Sequence, residues 1–178
     1  VVACTQIPAA FFVILFLDAS ALVKLYHDET GAETMRELFQ RRDLKGSFFV
    51  SELVALEVVV RLTRGARAGG RMTRRRLGRL LKAHADHRRT YLTVLGVETE
   101  LVGEAESIAI EYSDSGAGTL DLLHTASARQ AREIANEPLV FVAADRKLRS
   151  LAERIGFRTF DPENGDPTLL SPSRPVAE

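Results

Sequence analysis

Short runs of β-forming residues alternate along the chain with longer stretches whose apolar residues recur at helical spacing. Val13-Ile-Leu-Phe-Leu17 is apolar at every position, which predicts a strand covered on both faces rather than a half-wet one. Ser47 to Val50, Tyr91 to Val97, Leu139 to Ala143 and Phe157 to Phe160 read as further strands. Helical patterns fill the intervals at residues 19–26, 32–41, 52–64, 72–88, 100–112, 119–135 and 147–155. Gly31, the group Gly65, Gly69 and Gly70, and the Ser/Gly-rich stretch 113–118 mark the breaks. Ser51 and Thr119 stand where helix N-caps are expected.

Strands alternating with helices imply right-handed crossovers and a three-layer α/β/α fold around a mainly parallel sheet. Sites in that architecture lie at the carboxyl ends of strands. Neither a repeat nor a linker divides the chain. The expected organisation is an N-terminal extension (1–12), one domain (13–162) and a loosely ordered Pro-rich tail (163–178).

The 178 residues, 46% of them hydrophobic, suffice for one core. The lone Cys4 cannot form an internal disulfide, which fits a reducing compartment, and the cytoplasm is the expected location. Ala9 to Leu17 is too short to span a bilayer and has no basic segment before it, so no membrane association is expected. Net charge is zero, but Arg61 to Arg89 carries eleven bases against one acid, Asp86, leaving the rest of the chain at −10. Such asymmetry points to a polyanionic or an acidic protein partner, with Arg74, Arg75 and Arg76 the densest group, although a solvated helical face would look the same.

Four acids occupy unusual places. Asp18 and Asp145 each end an apolar strand run just ahead of a helix, so a parallel sheet brings both to one edge; each is equally placed to be an N-cap. Glu57 lies within Leu53-Val-Ala-Leu-Glu-Val-Val-Val60, on a face shared with Leu53 and Val60, where it aims at core or cleft unless it pairs with Arg61. Asp121 stands in the first turn of a helix, where an acid already suits the macrodipole. If the four meet in one cleft, a hard divalent cation is what would make their repulsion tolerable. His124 follows Asp121 by one helical turn and reads as a packed, hydrogen-bonded histidine; His84 and His87, among arginines, read as surface. No catalytic histidine is assigned.

Leu17-Asp-Ala-Ser-Ala-Leu-Val-Lys-Leu-Tyr26, Val50-Ser-Glu-Leu-Val-Ala-Leu-Glu57, Leu120-Asp-Leu-Leu-His-Thr-Ala126 and Phe141-Val-Ala-Ala-Asp-Arg-Lys-Leu148 resemble, in order, the four signature blocks of the PIN domain, particularly its VapC-type toxins. The resemblance spans about Val13 to Pro162. It implies a ribonuclease that uses Mg²⁺ or Mn²⁺, with Asp18, Glu57, Asp121 and Asp145 as metal-binding acids and Ser20 as the hydroxyl usual two residues after the first Asp. It further implies an RNA substrate, a cognate antitoxin protein and a homodimer. The last block carries Ala143 where the family commonly has Thr, so no hydroxyl supports Asp145 from that position. An RNA-processing nuclease without antitoxin and a non-catalytic binding module share the fold. A haloacid-dehalogenase-like phosphatase would need an acid where Ser20 stands, and a receiver domain a lysine after a late strand, where Asp145 stands instead.

Overall fold

The run from Ile14 to Leu17 forms the middle strand of a five-stranded sheet because its side chains alternate between two helical layers, both of which need apolar partners. The computed structural model describes residues 13–68 and 72–170, the side chains of 66–68 excepted. The expected extension 1–12, Arg71 and the end of the tail, 171–178, lie outside the described residues. The strands are β1 (Ile14–Leu17), β2 (Phe48–Ser51), β3 (Leu92–Leu95), β4 (Leu139–Val142) and β5 (Arg158–Phe160), in the order β3-β2-β1-β4-β5. Every pairing is parallel. The helices are α1 (Ala19–Leu22), continued by a 3-10 turn at Val23–Leu25, α2 (Ala32–Gln40), α3 (Glu52–Ala68), α4 (Arg74–Thr90), α5 (Thr99–Glu111), α6 (Thr119–Ala135) and α7 (Arg146–Arg154).

Leu15 and Leu17 face one layer, where they pack with Leu22, Val54, Val58 and Leu62. Ile14 and Phe16 face the other, against Phe141, Ala128 and Leu148, with the Phe16 and Phe141 rings stacked 5.5 Å apart. A third apolar cluster, Leu101, Ala105 and Ile108 with Ala126 and Leu151, holds α5 behind α6. Three layers thus bury all four residues of β1, β2 and β4. No helix among the described residues is long and apolar enough to cross a membrane.

Three local expectations change. The buried stripe of α3 is Val54, Ala55, Val58 and Leu62, not the Leu53–Glu57–Val60 face, so Glu57 sits at the margin of the packed surface, where a carboxylate can stay ionised. His84 is not a surface residue: it is 2% exposed, its Nε2 bonds the Ala55 carbonyl (3.1 Å), and its Nδ1 meets the Tyr26 hydroxyl (3.2 Å). His87, partly buried, reaches the same hydroxyl through Nδ1 at 3.1 Å. Since His84 Nε2–H donates to Ala55, its Nδ1 must accept the Tyr26 proton, leaving His87 Nδ1–H to donate to the phenol oxygen. This relay ties the arginine-rich α4 to the turn after α1 and to α3.

The tail is packed where it begins. Gly31 adopts φ +82°, and a Cβ there would come within 2.6 Å of the Pro162 carbonyl oxygen, so only glycine permits this approach. Glu163 pairs with the buried Lys24 at 2.7 Å, and Leu170 is buried at the end of a 3-10 turn, Pro167–Leu170.

Candidate metal centre

Strand order reverses beside β1: the chain runs outward from β1 through β2 to β3, then returns to place β4 on the other side of β1. The loops leaving β1 and β4 therefore diverge at their carboxyl ends and leave a crevice. Asp18 enters this crevice from the end of β1, buried at 4% exposure, with Oδ2 accepting the Ser20 N–H at 2.8 Å as the N-cap of α1. Its Oδ1 stays directed at the crevice, 3.8 Å from His124 Nε2.

Glu57 arrives from α3, one and a half turns after Ser51 caps that helix by accepting the Val54 N–H at 3.1 Å. Its Oε2 lies 2.8 Å from His124 Nε2, and its side chain is 26% exposed. The His124 hydrogen bond, aided by the imidazole charge and by Arg61, holds the Glu57 carboxyl below the usual carboxylate range against the opposing effect of burial. Arg61 is a minor influence, so the Glu57–Arg61 pair is not what satisfies this acid.

His124 is buried at 1% exposure on α6, as read for a packed and hydrogen-bonded histidine, but it packs between the two acids. Its Nδ1 lies 3.4 Å from Ser51 Oγ. A hydroxyl can donate or accept, so Ser51 suits either imidazole tautomer: with Nε2–H the ring donates to Glu57, and with Nδ1–H it leaves Nε2 free as a ligand. Among the described residues, Asp18, Glu57 and His124 offer ligand atoms that all lie within 4.8 Å of one another. The i, i+3 spacing from Asp121 was the one signal in the sequence for His124, and it gave no sight of the two acids.

Asp121 and Asp145 do not join that cluster. Asp121 Oδ2 accepts the Gly118 N–H at 2.9 Å, and Gly118, not Thr119, is the N-cap of α6. Asp145 is exposed and caps α7, with Oδ1 accepting from the Lys147 and Leu148 N–H groups at 2.7 and 3.1 Å. Each cap uses one carboxylate oxygen, and the other oxygen of each has no hydrogen bond among the described residues. Capping and cation binding are therefore compatible at both.

Asp145 stays beside the crevice without help from position 143. Ser20 Oγ accepts the Ala144 N–H at 2.9 Å and, more weakly, the Asp145 N–H at 3.4 Å. Arg149 donates to the Ala143 and Ala144 carbonyls at 2.7 and 2.8 Å and pairs with Asp161 at 2.8 Å. The strand-end loop is thus clamped from both sides, and nothing in the sequence marked Arg149 for that role. Arg74, Arg75 and Arg76 lie exposed in the first turn of α4, and Arg76 is near enough to Asp28 to help lower its carboxyl, after the dominant Arg36 contacts.

The donor set suits a divalent cation. Carboxylate oxygens match Mg²⁺ and Mn²⁺, and the imidazole nitrogen, if it ligates, favours Mn²⁺ of the two. Two buried or half-buried acids this close need a positive charge, which His124 alone supplies only when protonated.

A PIN-domain family model matches residues 15–154. The fold is similar to that of Mycobacterium tuberculosis VapC20, a sarcin-ricin loop cleaving toxin (19% identity, TM-score 0.61, covering 85% of this chain and 99% of that one). It is similar as well to PAE2754 from Pyrobaculum aerophilum (25% identity, TM-score 0.58, 90% and 95% covered) and to FitAcB from Neisseria gonorrhoeae (12%, 0.57, 85% and 99%). No curated protein sequence matches the chain.

Proposed function

The chain belongs to the PIN-domain family, and from that premise we propose that it is a Mg²⁺- or Mn²⁺-dependent ribonuclease acting as the toxin of a cytoplasmic toxin–antitoxin pair. The observation that carries the reading is the meeting of Asp18 and Glu57, from a strand end and a separate helix, on His124 within one crevice. Likeness of fold to VapC20 and the four-block resemblance support the toxin role. A cognate antitoxin and a homodimer belong to the same proposal.

Asp18 and Glu57 would hold the cation, with Asp121 and Asp145 contributing the carboxylate oxygens that their caps leave over. When bound, a divalent cation lowers the pKa of water and stabilises the negative charge that builds on a phosphodiester under attack. The chain's own groups set the stage for that chemistry. Ser20 and Arg149 fix the loop of Asp145, Ser51 orients His124, and His124 holds the Glu57 carboxylate in place beside Asp18. Burial of Asp18 keeps bulk water from competing for its Oδ1. Arg74, Arg75 and Arg76 would draw RNA, or an acidic partner, towards the molecule before it reaches the crevice.

Purified protein should cleave single-stranded or loop RNA with Mg²⁺ or Mn²⁺, stop on addition of EDTA, and recover when the ion is restored. Its expression should arrest growth, and a small protein encoded beside it should relieve the arrest. RNA cleavage that persists in EDTA and in Asp18→Asn would refute the metal mechanism, and growth that is unaffected by an active nuclease would refute the toxin role.

A further inference from the structure

Two cation-lined pockets open on either side of the loop that carries Asp145. The first, a cavity of about 450 Å³, has Ser20 and Ala144 in its wall, the two residues joined by the hydrogen bond that closes the crevice edge. Its remaining wall includes Lys24, His27, Arg61 and Arg64. The second, about 430 Å³, begins one residue beyond Asp145 and is lined by Ser115, Arg146, Lys147, Ser150 and Arg154. Both volumes lie in the range of a small-ligand site.

The charges in each pocket divide into spent and unspent. Lys24 Nζ is held by Glu163 (2.7 Å), Glu29 (3.5 Å) and the Thr30 carbonyl (2.8 Å), so the pocket's own acids are taken up by its buried lysine. Arg154 is likewise paired with Asp114 at 2.8 Å. Arg61 and Arg64 have no ion-pair partner among the described residues, and neither have Arg146 and Lys147. Arg61 and Arg64 follow Glu57 by four and seven residues on α3, which puts all three on one helix face. Pairs of like charges in a concave wall focus their field into the space they line and attract a ligand with spaced negative charges.

We propose that these are two phosphate subsites of the ribonuclease site, Arg61 and Arg64 seating the RNA strand on one side of the bond to be cut and Arg146 and Lys147 seating it on the other. The inference rests on the nuclease reading, because a strand cut at the crevice must leave it in both directions. The exposed first turn of α4, near the Asp28 that adjoins His27, extends the first track outward. An acidic peptide offers similar charge, but it has no reason to straddle an acid cluster.

The test is the affinity of the whole chain for a fluorescein-labelled twelve-nucleotide single-stranded RNA, read by anisotropy in EDTA across a salt series. Arg61→Gln with Arg64→Gln, and separately Arg146→Gln with Lys147→Gln, should each lower the slope of log affinity against log salt by about 1.4, at about 0.7 for each phosphate no longer neutralised. Each pair should weaken binding about 25-fold at 0.1 M salt, which is that slope taken over the decade to 1 M. Arg42→Gln with Lys45→Gln, exposed bases ahead of β2 at the opposite sheet edge, should change neither. Unchanged slopes in either site pair, or an equal fall in the Arg42/Lys45 control, would overturn the subsites. So would a loss confined to a poly-glutamate peptide probe. Cleavage by the parent with unchanged slopes refutes the subsites alone, whereas subsite-dependent binding without cleavage refutes the nuclease reading.

Discussion

Replacing Asp18 with Asn separates the metal role of this acid from its structural one. Asn caps helices as well as Asp does, so the bond from Ser20 N–H at 2.8 Å can survive within a few tenths of a kcal/mol. What goes is the charge, and with it the repulsion from Glu57, whose ligand oxygen lies within 4.8 Å. At an effective dielectric near 20 that repulsion is about 3 kcal/mol, reduced in practice because Glu57 still touches water and His124. The metal-free variant should therefore unfold at the parent's temperature or up to about 5 °C higher. The parent, given Mn²⁺ at about a hundred times its Kd, should gain about 2.7 kcal/mol. For a chain of 178 residues this is a rise of about 5–10 °C. In Asp18→Asn that rise should vanish and RNA cleavage should fall at least ~10²-fold. Thermal unfolding with and without metal, beside an RNA cleavage assay, reads all three quantities. A variant that keeps the parent's metal-induced rise, or that loses more than about 1 kcal/mol without metal, would refute the assignment of Asp18 as a ligand.

Acidification should weaken the attachment of α4. Burial holds His84 and His87 below their ordinary value of 6.5, so the unfolded chain takes up protons that the folded chain refuses; their stabilisation is present above that value and is lost as pH falls below it. Urea unfolding at pH 7.5 and 5.5 should show the loss, and His84→Gln should shrink the difference. Tyr26→Phe strands His84 Nδ1 and should cost about 1–3 kcal/mol at pH 7.5 in the same assay. Arg149→Met takes the ion-pair partner from Asp161, which keeps its bonds from the Glu163 N–H and Asn164, and leaves two carbonyls without a donor, so a loss of about 1–3 kcal/mol and a fall in cleavage are expected together. Replacing Arg74, Arg75 and Arg76 by Gln should weaken RNA binding and flatten its salt slope; unchanged RNA binding with a broken antitoxin complex or dimer would assign that turn to protein contact instead.

The strands and helices were legible in the sequence because each is announced by a local period. Val13 to Leu17 is apolar at every position since both faces of β1 are covered, and the alternation of strands with helices leaves little choice but a parallel sheet. Asp18 and Asp145 could be put at one sheet edge on the same grounds. Which atoms meet there is a matter of side-chain direction and helix rotation, and neither is local. The rotation of α3 is set by Val54, Ala55, Val58 and Leu62 against the sheet, and it turns Glu57 to the margin, towards His124. The burial of His84 follows from the docking of α4 on Tyr26 and Ala55, which no run of arginines could foretell. Arg149 came to matter because β5 and the following loop bring Asp161 beside the end of β4. The sequence by itself determined the elements, their order and the residue types capable of metal chemistry, since these depend on periodicity and composition within a few turns of chain. Only the tertiary structure decided that His124 stands between Asp18 and Glu57, because contacts between residues 67 or more positions apart depend on how whole layers pack.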